Sequence, residues 1–410
     1  MISAAAARQF VLDAVRPLAP CALDLDEAFG CVAAEQVLAR ESIPGFANSS
    51  MDGFALHAED TASGSARLTI VDAVMAGDVS RARLAAGQAV RIMTGAPLPD
   101  GADSVCPIED VVVEDTSVHI ARVVTKGACV RYPGDDVFEG QQLIAPGVAL
   151  DAPAIAVLAG QGRTTVVAHR RPRVGVISTG NELARSSGPL AASQIRDTNR
   201  PLLLALVRES GCMAVDLGIA ADTYDEIRQR LTDGLAICDA VISTGGVSVG
   251  DVDHVKNVIG ELGGSSARSV QVAIKPGKPF AFGVVGPDHR PIFGLPGNPV
   301  STRVGFELFV RPALRTLAGH AVIDRLRVPA VLDVTLARRS DAKLHLVHVW
   351  AEWGDDGVVH VRDTARQGSH LLHAIVGANA IALLPDGTAG AVGDLVELIV
   401  LDADRLARTA

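Results

Sequence analysis

VGVISTGNE (residues 174–182) and AVISTGGVSVGD (residues 240–251) end alike. In each, a run of β-branched residues stops at Ser-Thr-Gly, and polar, acid-bearing sequence able to open a helix follows. Around them, from 173 to about 318, strand-like and helix-like segments alternate. RVGVIS leads to NRPLLLALVRESG, then AVDLGI, then DTYDEIRQRLTDGLAIC, then AVIS, and later SVQVAIK, PFAFGVV, PIFGL and a final helix from about 300. Ile227, Leu231 and Leu235 make one apolar stripe at helical spacing, and Thr223 with Glu226 has capping-box spacing at its start. Such alternation predicts a doubly wound α/β domain, a parallel sheet with helices on both faces.

In open α/β sheets, ligands bind beyond the carboxyl ends of the strands. Ser-Thr-Gly occupies that place twice, and GLPGNPVS (294–301) supplies a third such turn. Gly180, Gly245, Gly246 and Gly297 leave room for backbone amides to approach a ligand. Nearby in sequence, IKPGKPFAFG sets Lys275 and Lys278 around a Pro-Gly turn whose prolines lower the cost of ordering two ammonium groups. Neither GxxxxGK[ST] nor GxGxxG occurs in its proper context, so no P-loop or dinucleotide fold is indicated. Glu182 follows the first Ser-Thr-Gly, Asp251 and Asp253 follow the second, and Asp222 ends another predicted strand. Each acid alone is explained by a helix dipole. Gathered beside a phosphate-cradling turn, they call for a cation between them, and Mg²⁺ suits a few carboxylates plus phosphate oxygens.

The rest of the chain frames this domain. Residues 30–150 hold short strands broken by Gly, Pro and Asp, followed by DAPAIAVLAGQG, a packed helix. From 327 the texture returns to β, and a small C-terminal β-barrel or sandwich is predicted. The predicted units are 1–45 with 141–168 (helical and linker, discontinuous), 46–140 (β-rich), 169–322 (α/β) and 323–410 (β). HRRPR (169–173) reads either as an anion site or as a solvated linker. With 410 residues, 48% hydrophobic and 20% charged, the composition is globular, and the net charge of −10 argues against nucleic-acid or anionic-membrane partners. No run approaches the ~18 apolar residues of a membrane span. The first twenty residues read as an amphipathic helix ending near Pro17, not as a signal peptide. Six scattered cysteines without a CxxC pair are expected to be free thiols in a reducing cytoplasm.

At these residues the chain resembles the MoeA-type molybdopterin molybdenumtransferases, the family that includes the gephyrin E domain. The matching stretches run end to end: IPGFANSSMDGFAL (43–56), RIMTGAPLPDGADSV (91–105), VRYPGDDVFEG (130–140), ISTGNEL (177–183), ISTGGVSVGDVD (242–253), IKPGKPFAFG (274–283), GLPGNPVS (294–301) and RQGSH (366–370). The resemblance implies Mg²⁺-dependent insertion of molybdate into adenylated molybdopterin with release of AMP. It also implies a homodimer in which the MDG region of one subunit faces the α/β domain of the other. Contacts with a molybdopterin adenylyltransferase and with recipient molybdoenzymes follow from the same likeness. It places catalytic residues at Asp52, Asp136, Glu182, Asp222, Asp253, Lys275 and Lys278, with Glu182, Asp222 and Asp253 as the metal-binding acids. Thr94, Gly180, Gly245, Gly246, Ser248, Pro296, Gly297, Asn298, Pro299, Ser301 and Ser369 would line the substrate site. Alternatively, Asp52 only shapes its own turn.

The chain departs from the family pattern at Asp135, at Gln271 and, above all, at His348, where the family often has Arg. His348 is read either as a partly charged substitute for that Arg or as a surface residue of its strand. Two other functions stay open at this point: a non-catalytic gephyrin-like scaffold, and a molybdopterin adenylyltransferase.

Overall fold

The computed structural model describes residues 1–185, 187–246, 253–336, 338, 340–364, 368–388 and 390–406. Ser248, Asp251 and Arg366 lie outside these. The chain divides into two units. One comprises residues 1–35, 146–156 and 164–410, and the other residues 36–145 and 157–163.

In the first unit the central sheet has six strands in the order Met213–Ala220, Arg173–Thr179, Ala240–Thr244, Arg290–Leu295, Pro279–Val285 and Arg268–Gln271. The first four run parallel. The sequence predicted a parallel sheet, which holds for these four strands, but Pro279–Val285 is antiparallel to both of its neighbours. Only residues 286–289 separate it from the next strand, far too few for the crossover that a parallel partner needs. Gly286 and His289 turn that corner at positive φ.

Helices cover both faces. Leu203, Leu206 and Val207 of helix Asn199–Glu209 pack with Val174, Val176 and Ile242 on one side. On the other side, Ile227 and Leu231 of helix Tyr224–Ile237 join Ile177, Val241 and Val258. Thr223 does occupy the N-cap of the second helix, yet no capping hydrogen bond forms there, and Glu226 pairs with Arg185 (3.8 Å) and Arg230 (3.9 Å) instead. The N-terminal helix Ala4–Ala14 is capped by Ser3 and buries Ala7 and Val11 in the first of these cores, with Phe10 edge-on to Phe282.

The C-terminal strands Arg327–Leu332, Leu344–Trp353, Val359–Thr364, Ala380–Leu384 and Leu395–Val400 close into a five-stranded barrel, because Leu344–Trp353 pairs with both Val359–Thr364 and Ala380–Leu384. Val347, Val349 and Ala351 point into it, while Leu346, one residue out of phase, packs on the α/β core. This is the period-2 alternation of a barrel wall. Arg325 ties the two parts together. It pairs with buried Glu307 at 2.7 and 3.1 Å and donates to the Leu401 carbonyl at 2.8 Å.

In the second unit, a six-stranded sheet runs in the order Ser104–Pro107, Gly53–Leu56, Gln88–Ile92, Ala66–Val74, Ser117–Ile120 and Val111–Glu114. Its core is Phe54, Leu56, Leu68, Val118 and Ile120 on one side, with Val74, Val90, Ile92 and Val105 on the other.

Candidate active site

The two Ser-Thr-Gly endings lie side by side. In the parallel ladder Ile177 faces Ser243 and Ser178 faces Thr244, and on the next strand Thr244 faces Leu295. The helix that follows strand Arg173–Thr179 lies on one face of the sheet, and the helix His254–Gly263 after strand Ala240–Thr244 lies on the other. The two strands therefore diverge at a topological switch point, where a ligand crevice opens. Gly245 sits there at φ +94, and a Cβ on it would overlap the Thr179 carbonyl and stand 2.9 Å from Thr179 Oγ1. No side chain fits where these loops cross.

The helix after the first Ser-Thr-Gly begins at Asn199, where NRPLLLALVRESG was expected to form one, so a loop rich in Ser, Gly and Ala lies between the turn and the helix. Asn199 is buried and its Nδ2 donates to Thr244 Oγ1 (2.9 Å) and the Gly297 carbonyl (2.6 Å), binding the second turn to the third. Thr302 Oγ1 donates to the Pro296 carbonyl (2.6 Å) and completes the clamp. Thr179 Oγ1, Ser243 Oγ and Asn199 Oδ1 are buried and have no hydrogen-bond partner among the described residues. Polar groups of this kind suit a polar ligand at the turns.

GLPGNPVS also borders a second space, on the barrel side. A cavity of about 870 Å³ is lined by Lys275, Lys278, Val300, Ser301, Arg338, Lys343, His345 and Ser369, among others. Lys275 arrives there because the two-residue strand Ile274–Lys275 leaves the central sheet and pairs with Leu344–His345 of the barrel. Asn298 Nδ2 donates to Ser369 Oγ (3.1 Å), and Val300 N donates to the Ser369 carbonyl (3.2 Å). Five basic side chains line the cavity, and no Asp or Glu does among the described residues. Asp341 stands behind it, bonding His345 (2.9 Å) and Lys343 (3.3 Å), and Asp386 holds Arg338. No such acid holds Lys275 or Lys278 among the described residues. In a chain of net charge −10, this local excess is what capture of an anion requires.

Arg338, Lys343, His345 and Asn199 were not predicted. The basic residues near 338–343 are visible in the sequence, but no pattern places them, His345 or Asn199 at the site.

The expected acids are placed less uniformly. Glu182 and Asp222 are exposed on neighbouring loops, joined by the Asn181 side chain accepting from Asp222 N at 3.1 Å. Asp253 is buried. It accepts from Lys256 N (3.2 Å) as a helix N-cap and pairs with Lys256 Nζ (2.9 Å). Among the described residues no three His, Cys, Asp or Glu side chains gather as for a preformed metal centre. Glu182 and Asp222 suit the one-or-two-carboxylate mode of Mg²⁺, whereas Asp253 is committed to its helix and lysine.

In the second unit, Asp52 Oδ1 accepts from both Thr94 N and Thr94 Oγ1 at 2.8 Å, which joins the MDG and MTGA turns. These two donors hold its carboxyl below the usual carboxylate range. Asp136 is exposed, and its backbone N–H donates to the Ile43 carbonyl at 3.0 Å.

His348 is neither a surface residue nor a charged one. It is 3% exposed, beside Arg303, and burial followed by that guanidinium pushes its pKa down to about 3. It is neutral at physiological pH and cannot replace an Arg. In the unfolded chain the same ring titrates near 6.5, so between pH 6.5 and 3 unfolding takes up a proton. Stability is unaffected above that window and falls as the pH drops through it, by at most about 1.4 kcal/mol per pH unit. We expect melting at pH 5 to be several degrees below that at pH 7, and the gap to shrink in His348→Gln. An unchanged gap would assign the effect to other groups.

A doubly wound domain with turns clamped at its switch point, beside a cationic cavity walled by a small barrel, defines a binder of a polar, multiply charged small ligand. The comparisons make this specific. Residues 2–162 match the MoeA N-terminal region (domain I and II), 175–316 a probable molybdopterin binding domain, and 333–401 the MoeA C-terminal region (domain IV). The molybdopterin molybdenumtransferase of Haemophilus influenzae is 33% identical over 363 residues, covering 88% of this chain and 89% of that protein. The Bacillus subtilis protein of the same name is 32% identical over 377 residues, covering 89% and 86%. A molybdopterin biosynthesis MoeA protein of Pyrococcus horikoshii superposes with a TM-score of 0.81 at 26% identity, covering 98% of this chain and all of that one. The chain belongs to the MoeA family of molybdopterin molybdenumtransferases.

Proposed function

We propose that this chain is a molybdenum cofactor synthase of that type. It inserts molybdate into adenylated molybdopterin and releases AMP. The observation that carries the reading is the cavity holding Lys275, Lys278, Ser301 and Ser369, lined by no acid among the described residues, next to the clamped turns of the α/β domain. The turns present backbone amides to the nucleotide–pterin conjugate, and Gly245 keeps their crossing free of side chains. The two ammonium groups neutralise charge on molybdate and on the phosphoanhydride, and the Ser301 and Ser369 hydroxyls orient oxyanion oxygens. Charge stabilisation of this kind dominates phosphoryl chemistry. Glu182 and Asp222 would hold Mg²⁺, whose charge would offset that of the pyrophosphate. Asp52, Asp136 and Thr94 act in the same reaction, and the chain works as a homodimer that receives its substrate from an adenylyltransferase and passes its product to molybdoenzymes.

Full-length chain given adenylated molybdopterin, Mg²⁺ and molybdate is expected to release AMP in stoichiometric amount, to lose this with EDTA, and to regain it with added Mg²⁺. A scaffold would release no AMP, an adenylyltransferase would consume ATP and unmodified molybdopterin, and chelator-resistant turnover would remove Mg²⁺ from the reading.

A further inference from the structure

The central sheet has a second edge. Arg173, Met213 and Arg290 begin three of its parallel strands, and Asp239 precedes a fourth. This is the end opposite the Ser-Thr-Gly turns. There a cavity of about 600 Å³ is lined by Arg170, Arg171, Arg173 and Arg290, by Glu27 and Asp239, and by an apolar wall that includes Met213 and Ile237. Three of the four arginines belong to HRRPR, the stretch whose sequence left an anion site and a linker both open.

The arginines do different things. Arg170 holds Asp239 by two parallel bonds of 2.7 Å, and Asp239 also accepts from Arg173 N at 2.8 Å, so its oxygens are occupied. Arg290 is taken up by Asp288 at 2.9 Å and by the Leu235 carbonyl. These two guanidiniums build the wall. The side chains of Arg171 and Arg173 are exposed and have no ion-pair partner among the described residues. They flank buried Pro172, and both line this cavity. Glu27 is the one lining acid not bound to an arginine among the described residues. Forked guanidiniums match phosphate oxygens two at a time, which ammonium groups do not, and the volume lies within the range of small-molecule sites.

We propose that this cavity is a second binding site, taking a small oligophosphate anion between Arg171 and Arg173. It is separate from the molybdate cavity and does not depend on the function proposed above. Calorimetric titration of the full chain with sodium tripolyphosphate at low salt tests it. We expect binding that weakens at least about tenfold in the double variant Arg171→Gln/Arg173→Gln, weakens less in each single variant, and persists in Lys275→Ala/Lys278→Ala. Added salt should weaken it too. A parallel titration with ADP identifies the source. Tighter Arg171-dependent binding of ADP marks the phosphate chain of a nucleotide, and tighter binding of tripolyphosphate marks the free anion. Equal affinity in the wild type and the double variant, no binding by the wild type, or loss only in the lysine variants would overturn the proposal. Both arginines are solvent-exposed, so the melting temperature serves as the check that the variants fold.

Discussion

Replacing both Lys275 and Lys278 with Ala is expected to reduce AMP release at least a hundredfold while leaving the melting temperature close to that of the wild type. The two side chains line the cavity without an acid partner among the described residues, so the folded state loses little when they go. The chemistry loses a great deal. Removing one preorganised charge-stabilising donor costs roughly 10²–10³ in rate, and here two positive charges are withdrawn from a site meant for two anions. Single variants should also raise the molybdate concentration needed for half-maximal rate, and Lys278→Arg should recover part of the activity. Wild-type kinetics in both single variants would take the lysines out of the reaction and leave the cavity without a role.

Gly245→Ala is expected to destabilise the α/β domain by roughly 2–4 kcal/mol, combining the cost of a left-handed backbone for a non-glycine residue with that of overpacking. The new Cβ would overlap backbone, the Thr179 carbonyl, and not a side chain that can swing away. Gly211→Ala is the control. Gly211, at the end of helix Asn199–Glu209, also has positive φ, at +84, but nothing lies within 4 Å of its would-be Cβ, so it should cost only the conformational part, about 1–2 kcal/mol. Equal midpoints for the two variants in urea would show that the crossing of the loops at Gly245 is looser than described.

These two sites also mark how far the sequence could be read. The paired Ser-Thr-Gly endings were legible because β-branched runs and glycine have strong local meaning, and strand order then brings them together at the switch point. The Lys-Pro-Gly-Lys-Pro turn was legible for the same reason. The barrel wall of the cavity was not. Arg338, Lys343 and His345 reach it only because Ile274–Lys275 pairs with Leu344–His345, and a two-residue pairing leaves no periodic trace in sequence. The direction of strand Pro279–Val285 was not legible in its apolar pattern, because alternation of apolar segments says nothing of direction; the short turn at 286–289 is the one local signal of it. His348 shows a further limit. Its strand was recognisable, but period 2 alone does not say that the outer face of a barrel is covered by another core. Asp253 was singled out for its position beside the second turn, and its bonds to Lys256 depend on how the next helix begins.

The most direct measurement is the structure of the full chain crystallised and soaked with adenylated molybdopterin. Its phosphates are expected along the turns at Gly180, Gly245 and Gly297, with the dithiolene reaching toward Lys275, Lys278, Ser301 and Ser369. Density for the conjugate anywhere else, with both lysines untouched, would contradict the account.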